Sequence, residues 1–156
     1  MAAWTGRHPA SPCTIAVISG RVTADGRPLL WKNRDVSSQD NLLRFLGGGR
    51  HAFVGLVEPG PVEKVWAGLN DAGLAIVNAV STDLEGTSES ENGAFIKRVL
   101  EECATVREVE FLLAATNGAR RTMANFGVID GRGEGAVFEA GNARFAKYDP
   151  ASSPAG

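Results

Sequence analysis

The sequence predicts a layered α+β domain. Short strand-like runs separated by glycine- and proline-rich turns fill the first half, two amphipathic helices follow between residues 92 and 118, and strand-like runs return after Ala124. A chain of 156 residues has the size of one domain and can bury a substantial core. Neither an internal repeat nor a linker precedes Pro150.

Residues 13–20 and 28–33 read as a first hairpin, turning at Ala24-Asp25-Gly26-Arg27. Along 29–35, period two puts Leu29, Trp31, Asn33 and Asp35 on one face, so that an apolar face runs into a polar pocket, with Arg34 on the other side. The same residues also fit a polar strand exit that caps a loop, and both readings stay open. Residues 41–46, 51–57 and 64–68 are shorter strand candidates. They are set apart by Gly47-Gly48-Gly49 and Glu58-Pro59-Gly60-Pro61, both strong turn signals. The triple glycine lacks the Gly-Lys-Ser/Thr and the helix start of a phosphate loop. Residues 74–79 form a mostly apolar run that suits a buried strand, and 80–91 is a polar loop.

Phe95, Ile96, Val99, Leu100 and Cys103 recur at helical spacing, with Asn92 as the cap candidate and Cys103 in the core. Thr105 and Glu108 form a capping box, Val106, Val109, Leu112 and Leu113 mark a buried face, and Thr116-Asn117-Gly118 ends the second helix. This helix pair is expected to cover one face of a sheet. Residues 124–129 and 136–139 return as strands around Asp130-Gly131, and 143–148 add another.

Composition narrows the function. Net charge is −2 with no basic block, which argues against nucleic-acid binding; Arg120-Arg121 reads as a solvated loop. Two cysteines define no disulfide framework, no run is long enough to span a bilayer, and residues 1–12 lack the apolar stretch of a signal peptide. The compartment stays open, cytoplasmic by default and secreted if the true start lies upstream. His8 and His51 have no ligand-like spacing, so neither metal nor cofactor is expected.

Cys13 carries the chemistry. A cysteine that opens a mature chain brings its own base, because an α-amine titrates near ~7.7–8.0 and a thiol near ~8.5. A nucleophile with a base beside it is the working unit of covalent acyl transfer. A cysteine that opens a strand is also often just a small buried hydrophobe.

Three patches bear on that choice. Cys13-Thr14 with the Asp25-Gly26 turn and the Asn33-x-Asp35 pair resembles the start of the N-terminal-nucleophile amide hydrolases. Within that group it is similar to the penicillin acyltransferase-like branch, near the choloylglycine hydrolases. Gly68-Leu69-Asn70-Asp71-Ala72-Gly73-Leu74, with the strand to Asn78, resembles that group's Asn-Glu-x-Gly-Leu turn. Ala124-Asn125-Phe126-Gly127-Val128-Ile129-Asp130, with Gly133 and Phe138-Glu139, resembles its strand–Asp–turn–strand unit.

The resemblance implies an αββα sandwich, of which this chain supplies much but not all. It implies Cys13 as nucleophile, its freed amine as base, Asp35 as the acid that orients the amine, and Asn78 near the oxyanion-hole backbone N–H. Asn33 and Arg34 become supporting or substrate-binding residues, Arg34 as a thiolate stabiliser. Lys32 stands where bile-salt hydrolases carry an arginine three residues before the aspartate, which favours the acyltransferase-like branch. Residues 1–12 become a leader that self-cleavage or a protease removes, 13–149 the N-terminal part of the domain, and 150–156 a truncated or flexible tail. The family's second oxyanion-hole asparagine, placed beyond its first half, is assigned to no residue here. The expected reaction is hydrolysis of a linear non-peptide amide C–N bond, or acyl transfer, on a small-molecule acyl-amide. A homo-oligomer, or pairing with a second half, is compatible with it. The alternative is a non-catalytic or split-chain fragment that serves assembly.

Overall fold

The computed structural model describes residues 13–36, 40–61, 63–81, 84 and 91–152. The expected leader therefore lies outside the described residues, as do most of the 80–91 loop and the end of the tail. Strands β1 (Thr14–Ile18) and β2 (Leu29–Asn33) form an antiparallel hairpin in which Ile15 faces Lys32 and Val17 faces Leu30. Its connection carries a short 3-10 turn capped by the Ser19 hydroxyl, then Asp25, whose carboxylate accepts from the Arg27 amide and guanidinium.

The remaining strands make one antiparallel seven-stranded sheet in chain order: β3 (Leu42–Leu46), β4 (Phe53–Glu58), β5 (Lys64–Asn70), β6 (Ala75–Val80), β7 (Ala124–Ile129), β8 (Gly135–Ala140) and β9 (Phe145–Tyr148). Helices α1 (Asn92–Glu102) and α2 (Val106–Ala115) enter between β6 and β7. The Thr105 capping box forms as expected: the hydroxyl accepts from the Glu108 amide and the Glu108 carboxylate reaches the Ala104 amide.

Alternation sorts the sheet into two faces. Phe53 and Val57, Ile76, Phe126 and Val128, and Phe138 join Phe95, Ile96, Val99 and Leu100 of α1 and Val109 and Leu113 of α2 in one buried core. Each large apolar side chain buried there contributes about 1.5–3 kcal/mol. Helix α1 sits close because Gly68 of β5 has no side chain: a Cβ there would fall 2.4 Å from Leu100 Cδ1. The hairpin covers the opposite face. It rests on Gly127 of β7, where a Cβ would lie 3.0 Å from Leu30 Cδ1 and 3.1 Å from Val17 Cγ2. The described layers are helix, sheet and hairpin, three of the four in an αββα sandwich.

Two motif turns clasp this arrangement. Asn70 is buried; its Nδ2 donates to the carbonyls of Leu100 (3.0 Å) and Cys103 (2.7 Å), and its Oδ1 accepts from the Leu74 amide. Asp130 is also buried and takes the Val106 amide at the start of α2, at 3.0 Å, together with the amides of Arg132 and Glu134.

Three expectations are corrected. The face of Leu29 and Trp31 is not a core face: these residues are 51% and 52% exposed, and Leu30 and Lys32 point inward instead. Packing on Gly127 decides which side is buried. Asn92 is not a cap but the buried first residue of α1, and its amide brackets Met123 by accepting from its N–H and donating to its carbonyl. Arg120 is not solvated: it is buried and donates to the carbonyls of Leu113 and Gly141 and to Asn117 Oδ1, satisfying the end of α2. Cys103 is buried, as expected.

Candidate active site

Strand β5 determines where the site opens. Leu56 pairs with Ala67 but Val57 pairs with Val65, so Trp66 is an extra, bulged residue. The bulge changes the parity of the strand. Gly68 and Val65 both serve the helix face, and Trp66 turns toward the hairpin. The β5–β6 ladder stops at Ala67↔Val77, one residue short of Asn78. The Asn78 carbonyl is thus free of the ladder, and the Lys32 ammonium takes it, donating also to Asn78 Oδ1 at 2.9 Å. In an antiparallel strand a residue's N–H and C=O point to the same edge, so the Asn78 amide lies along the same opening.

Cys13 stands just before β1 and is partly exposed. By alternation it shares the inward side of Ile15 and Val17, and the register continued by one pair sets it opposite Arg34. Burial pushes the Lys32 amine down to about 8; Cys13 pulls it back up, and the Arg34 charge presses it down. Arg34 itself is held. Its guanidinium stacks 5.1 Å over the Trp66 ring, pairs with Glu58 Oε2 at 3.2 Å and donates to Asn41 Oδ1 at 3.2 Å, while Trp66 Nε1 donates to the same Glu58 oxygen. Arg34 therefore ties the hairpin to the sheet.

The structure gathers three of the five residues singled out in the sequence. Cys13, Arg34 and Asn78 meet on the inner side, around Lys32. Asn33 and Asp35 lie exposed on the outer side, and Asp35 makes no hydrogen bond among the described residues. Two residues beside the site, Glu58 and Trp66, escape the sequence reading, and Lys32, met there only as the place of the family's arginine, is an inward ammonium. Only a charged residue at an inward strand position could have flagged Lys32. Asn125 pairs with Ala79 and lies on the hairpin side of β7; its Oδ1 is buried with no hydrogen-bond partner among the described residues.

A cleft of about 650 Å³ lies elsewhere, between the hairpin turn and the ends of β8 and β9, lined by Arg21, Arg132, Glu134 and Lys147 among others. None of Cys13, Lys32 and Asn78 borders it. No group of three metal-ligating side chains occurs among the described residues. No described helix is long and apolar enough to cross a membrane.

No protein-family model and no curated protein matches the chain. Solved structures do match it in fold. Two variants of the conjugated bile acid hydrolase from Clostridium perfringens superpose with TM-scores of 0.63 and 0.60, each at 16% identity, over 89% and 88% of this chain. The chain spans about half of those structures, 51% and 50% of their lengths. The fold is that of the N-terminal-nucleophile hydrolases.

Proposed function

We propose that this chain carries the nucleophile half of an amide hydrolase or acyltransferase that works through a Cys13 acyl-enzyme. The observation that supports this most is the meeting of Cys13, Lys32 and Asn78 where the β5–β6 ladder opens, within a fold of the N-terminal-nucleophile type.

Removal of residues 1–12 would free the Cys13 amine. That amine takes the thiol proton, the thiolate attacks the amide carbonyl, and the amine then protonates the leaving nitrogen. Water, or a second amine, attacks the thioester and regenerates the thiol. The Asn78 N–H stabilises the oxyanion; loss of one good donor of this kind costs about 10²–10³ in rate. The Lys32 ammonium holds Asn78 in place and favours a thiolate beside it. The substrate class is a linear acyl-amide.

Mass spectrometry of the purified protein would read whether the chain begins at Cys13. Assays over acyl-amino acids, acyl-amines and penicillins would read turnover. Activity that is equal in wild type and Cys13→Ala would sink the proposal.

A second reading is favoured by the exposed outer face of the hairpin, where Ile18, Leu29 and Trp31 stand partly open to solvent. In that reading the chain is an assembly domain without turnover. An unmodified leader, an unreactive Cys13 and association that depends on concentration would support it.

A further inference from the structure

We propose that Lys32 is the proton shuttle by which the chain cuts itself before Cys13, its Nζ taking the proton of the Cys13 thiol and handing it to the Cys13 nitrogen. The inference rests on the proposed function and adds to it the agent that frees the Cys13 amine.

Until residues 1–12 leave, the Cys13 nitrogen is part of a peptide bond and serves no thiol as base. Another base has to stand near Sγ, and the register supplies one. Ile15 pairs with Lys32, and Cys13 lies one pleat from Ile15 on the same inward side, so Cys13 and Lys32 are diagonal neighbours across the hairpin. Such neighbours lie about 7–8 Å apart, a span that a lysine side chain covers. The two groups sense each other's charge. Arg34 is the other charged group that bears on Lys32 among the described residues; Glu58 is turned to Arg34 and Trp66, and β6 offers the neutral Asn78.

The hydrogen bonds of Lys32 fix what its amine can do. Nζ donates to the Asn78 carbonyl and to Asn78 Oδ1. An ammonium has three donors, so one proton is left over; a neutral amine has two, both engaged by Asn78, and holds a lone pair in the third place. Lys32 therefore exchanges that proton while keeping both contacts, the neutral form holding them less tightly. Burial lowers the amine to about 8, so near neutral pH both forms are at hand. The arginine that bile-salt hydrolases carry at this place keeps its proton and cannot act in this way.

The neutral Lys32 amine takes the Sγ proton. Sγ attacks the Pro12 carbonyl carbon through a five-membered ring, whose geometry the Cys13 residue itself provides. The bond from that carbon to the Cys13 nitrogen breaks, and the nitrogen takes the proton from the Lys32 ammonium. What forms is a thioester between Pro12 and Sγ, with the Cys13 amine free. Water attacks the thioester, releases residues 1–12 as a carboxylate and restores the thiol. From then on the freed amine is the base, and Lys32 stays charged on Asn78.

The test unfolds the full chain in urea at pH 5, refolds it by dilution at pH 6 to 9 and follows its first residue by mass spectrometry. Wild type is expected to come to start at Cys13, at a rate that rises about tenfold per pH unit up to pH 8 and then levels. Hydroxylamine is expected to trap the thioester and release residues 1–12 as the hydroxamate. Lys32→Arg keeps the charge and the donors but exchanges no proton, and is expected to cleave at least about a hundredfold more slowly, like Lys32→Met. A smaller loss in Lys32→Arg would leave a role for charge alone and overturns the inference. So does wild type that stays whole at every pH, or that loses residues 1–12 without ever giving the hydroxamate. Near-UV circular dichroism reads the folding of the variants. If neither folds, wild type decides: a rate flat from pH 6 to 8 overturns the inference, and the rising limb with hydroxamate sustains it. A chain made with Cys13 as its first residue keeps the two proposals apart. Its turnover of an acyl-amide leaves the acyl-enzyme standing when self-cleavage fails, and its inactivity sinks the acyl-enzyme whatever becomes of residues 1–12.

Discussion

Lys32 donates from Nζ to Asn78 Oδ1 at 2.9 Å and also takes the Asn78 backbone carbonyl, joining the hairpin to the first residue of β6 beyond the β5 ladder. A buried ammonium in that position makes the site sensitive to alkali. The Lys32 amine is lowered from 10.5 to about 8.

The native state therefore gives up this proton more easily than the unfolded chain. Between pH 8 and 10.5 the unfolded state binds more protons, so stability rises with pH across that window; below it the cost of burying the ammonium is present in full. Wild type is expected to gain on Lys32→Met by up to about 3 kcal/mol across the window, read by urea unfolding at several pH values. Activity should move the other way, with kcat/KM falling above pH 8 as the grip on Asn78 loosens, and Lys32→Arg should push that limb to higher pH. A stability difference that is flat from pH 7 to 11 would refute the assignment.

The two cysteines should separate cleanly by reactivity. Burial, then the charges of Glu108 and Glu102, push the Cys103 thiol up to about 12, and its side chain lies within the core. Iodoacetamide at pH 8 is expected to label Cys13 alone in the folded protein and both thiols in urea, as peptide mass spectrometry would show. Cys103→Ala should leave turnover largely intact, whereas Cys13→Ala should abolish it.

Asp130 is the clasp between the β7–β8 turn and α2. Asp130→Ala leaves the amides of Val106, Arg132 and Glu134 without their acceptor, and the loss is expected to be about 1–3 kcal/mol. The denaturation midpoint measures it. A shift within error would mean that water replaces the carboxylate.

Gly127 links packing to chemistry. A valine there would press on Leu30 and Val17 and lift the hairpin that carries Cys13 and Lys32. Overpacking of this kind costs about 1–3 kcal/mol, and a displacement of about 1 Å at a reacting group can cost about 10² in rate. Gly127→Val is expected to lose more in kcat than its modest drop in melting temperature accounts for; equal losses would place the residue outside the site's geometry.

Much of the fold is legible in the sequence because local periodicity records it. The two helices, the capping box at Thr105 and every strand of the meander follow from spacing and turn residues. What is missed depends on partners far along the chain. Apolar residues occur on both sides of β2, and only the bare surface of Gly127 decides that Leu30 goes in and Trp31 stays out. Arg120 looks solvated because its acceptors are carbonyls, which carry no sequence signal. Within the site, Cys13, Arg34 and Asn78 are legible from motif resemblance. Lys32, Glu58 and Trp66 are not, since their roles come from a bulge that no composition announces.

That bulge makes the opening a matter of counting. One surplus residue, Trp66, puts β5 out of step and leaves the edge at Asn78 unclaimed. Exchanging Trp66 for another side chain would keep the surplus; removing the position would let the two strands zip together and seal the cleft. The site should therefore tolerate changes of spelling in β5 far better than a change in its length. Descendants of this chain would be expected hardly ever to lose position 66.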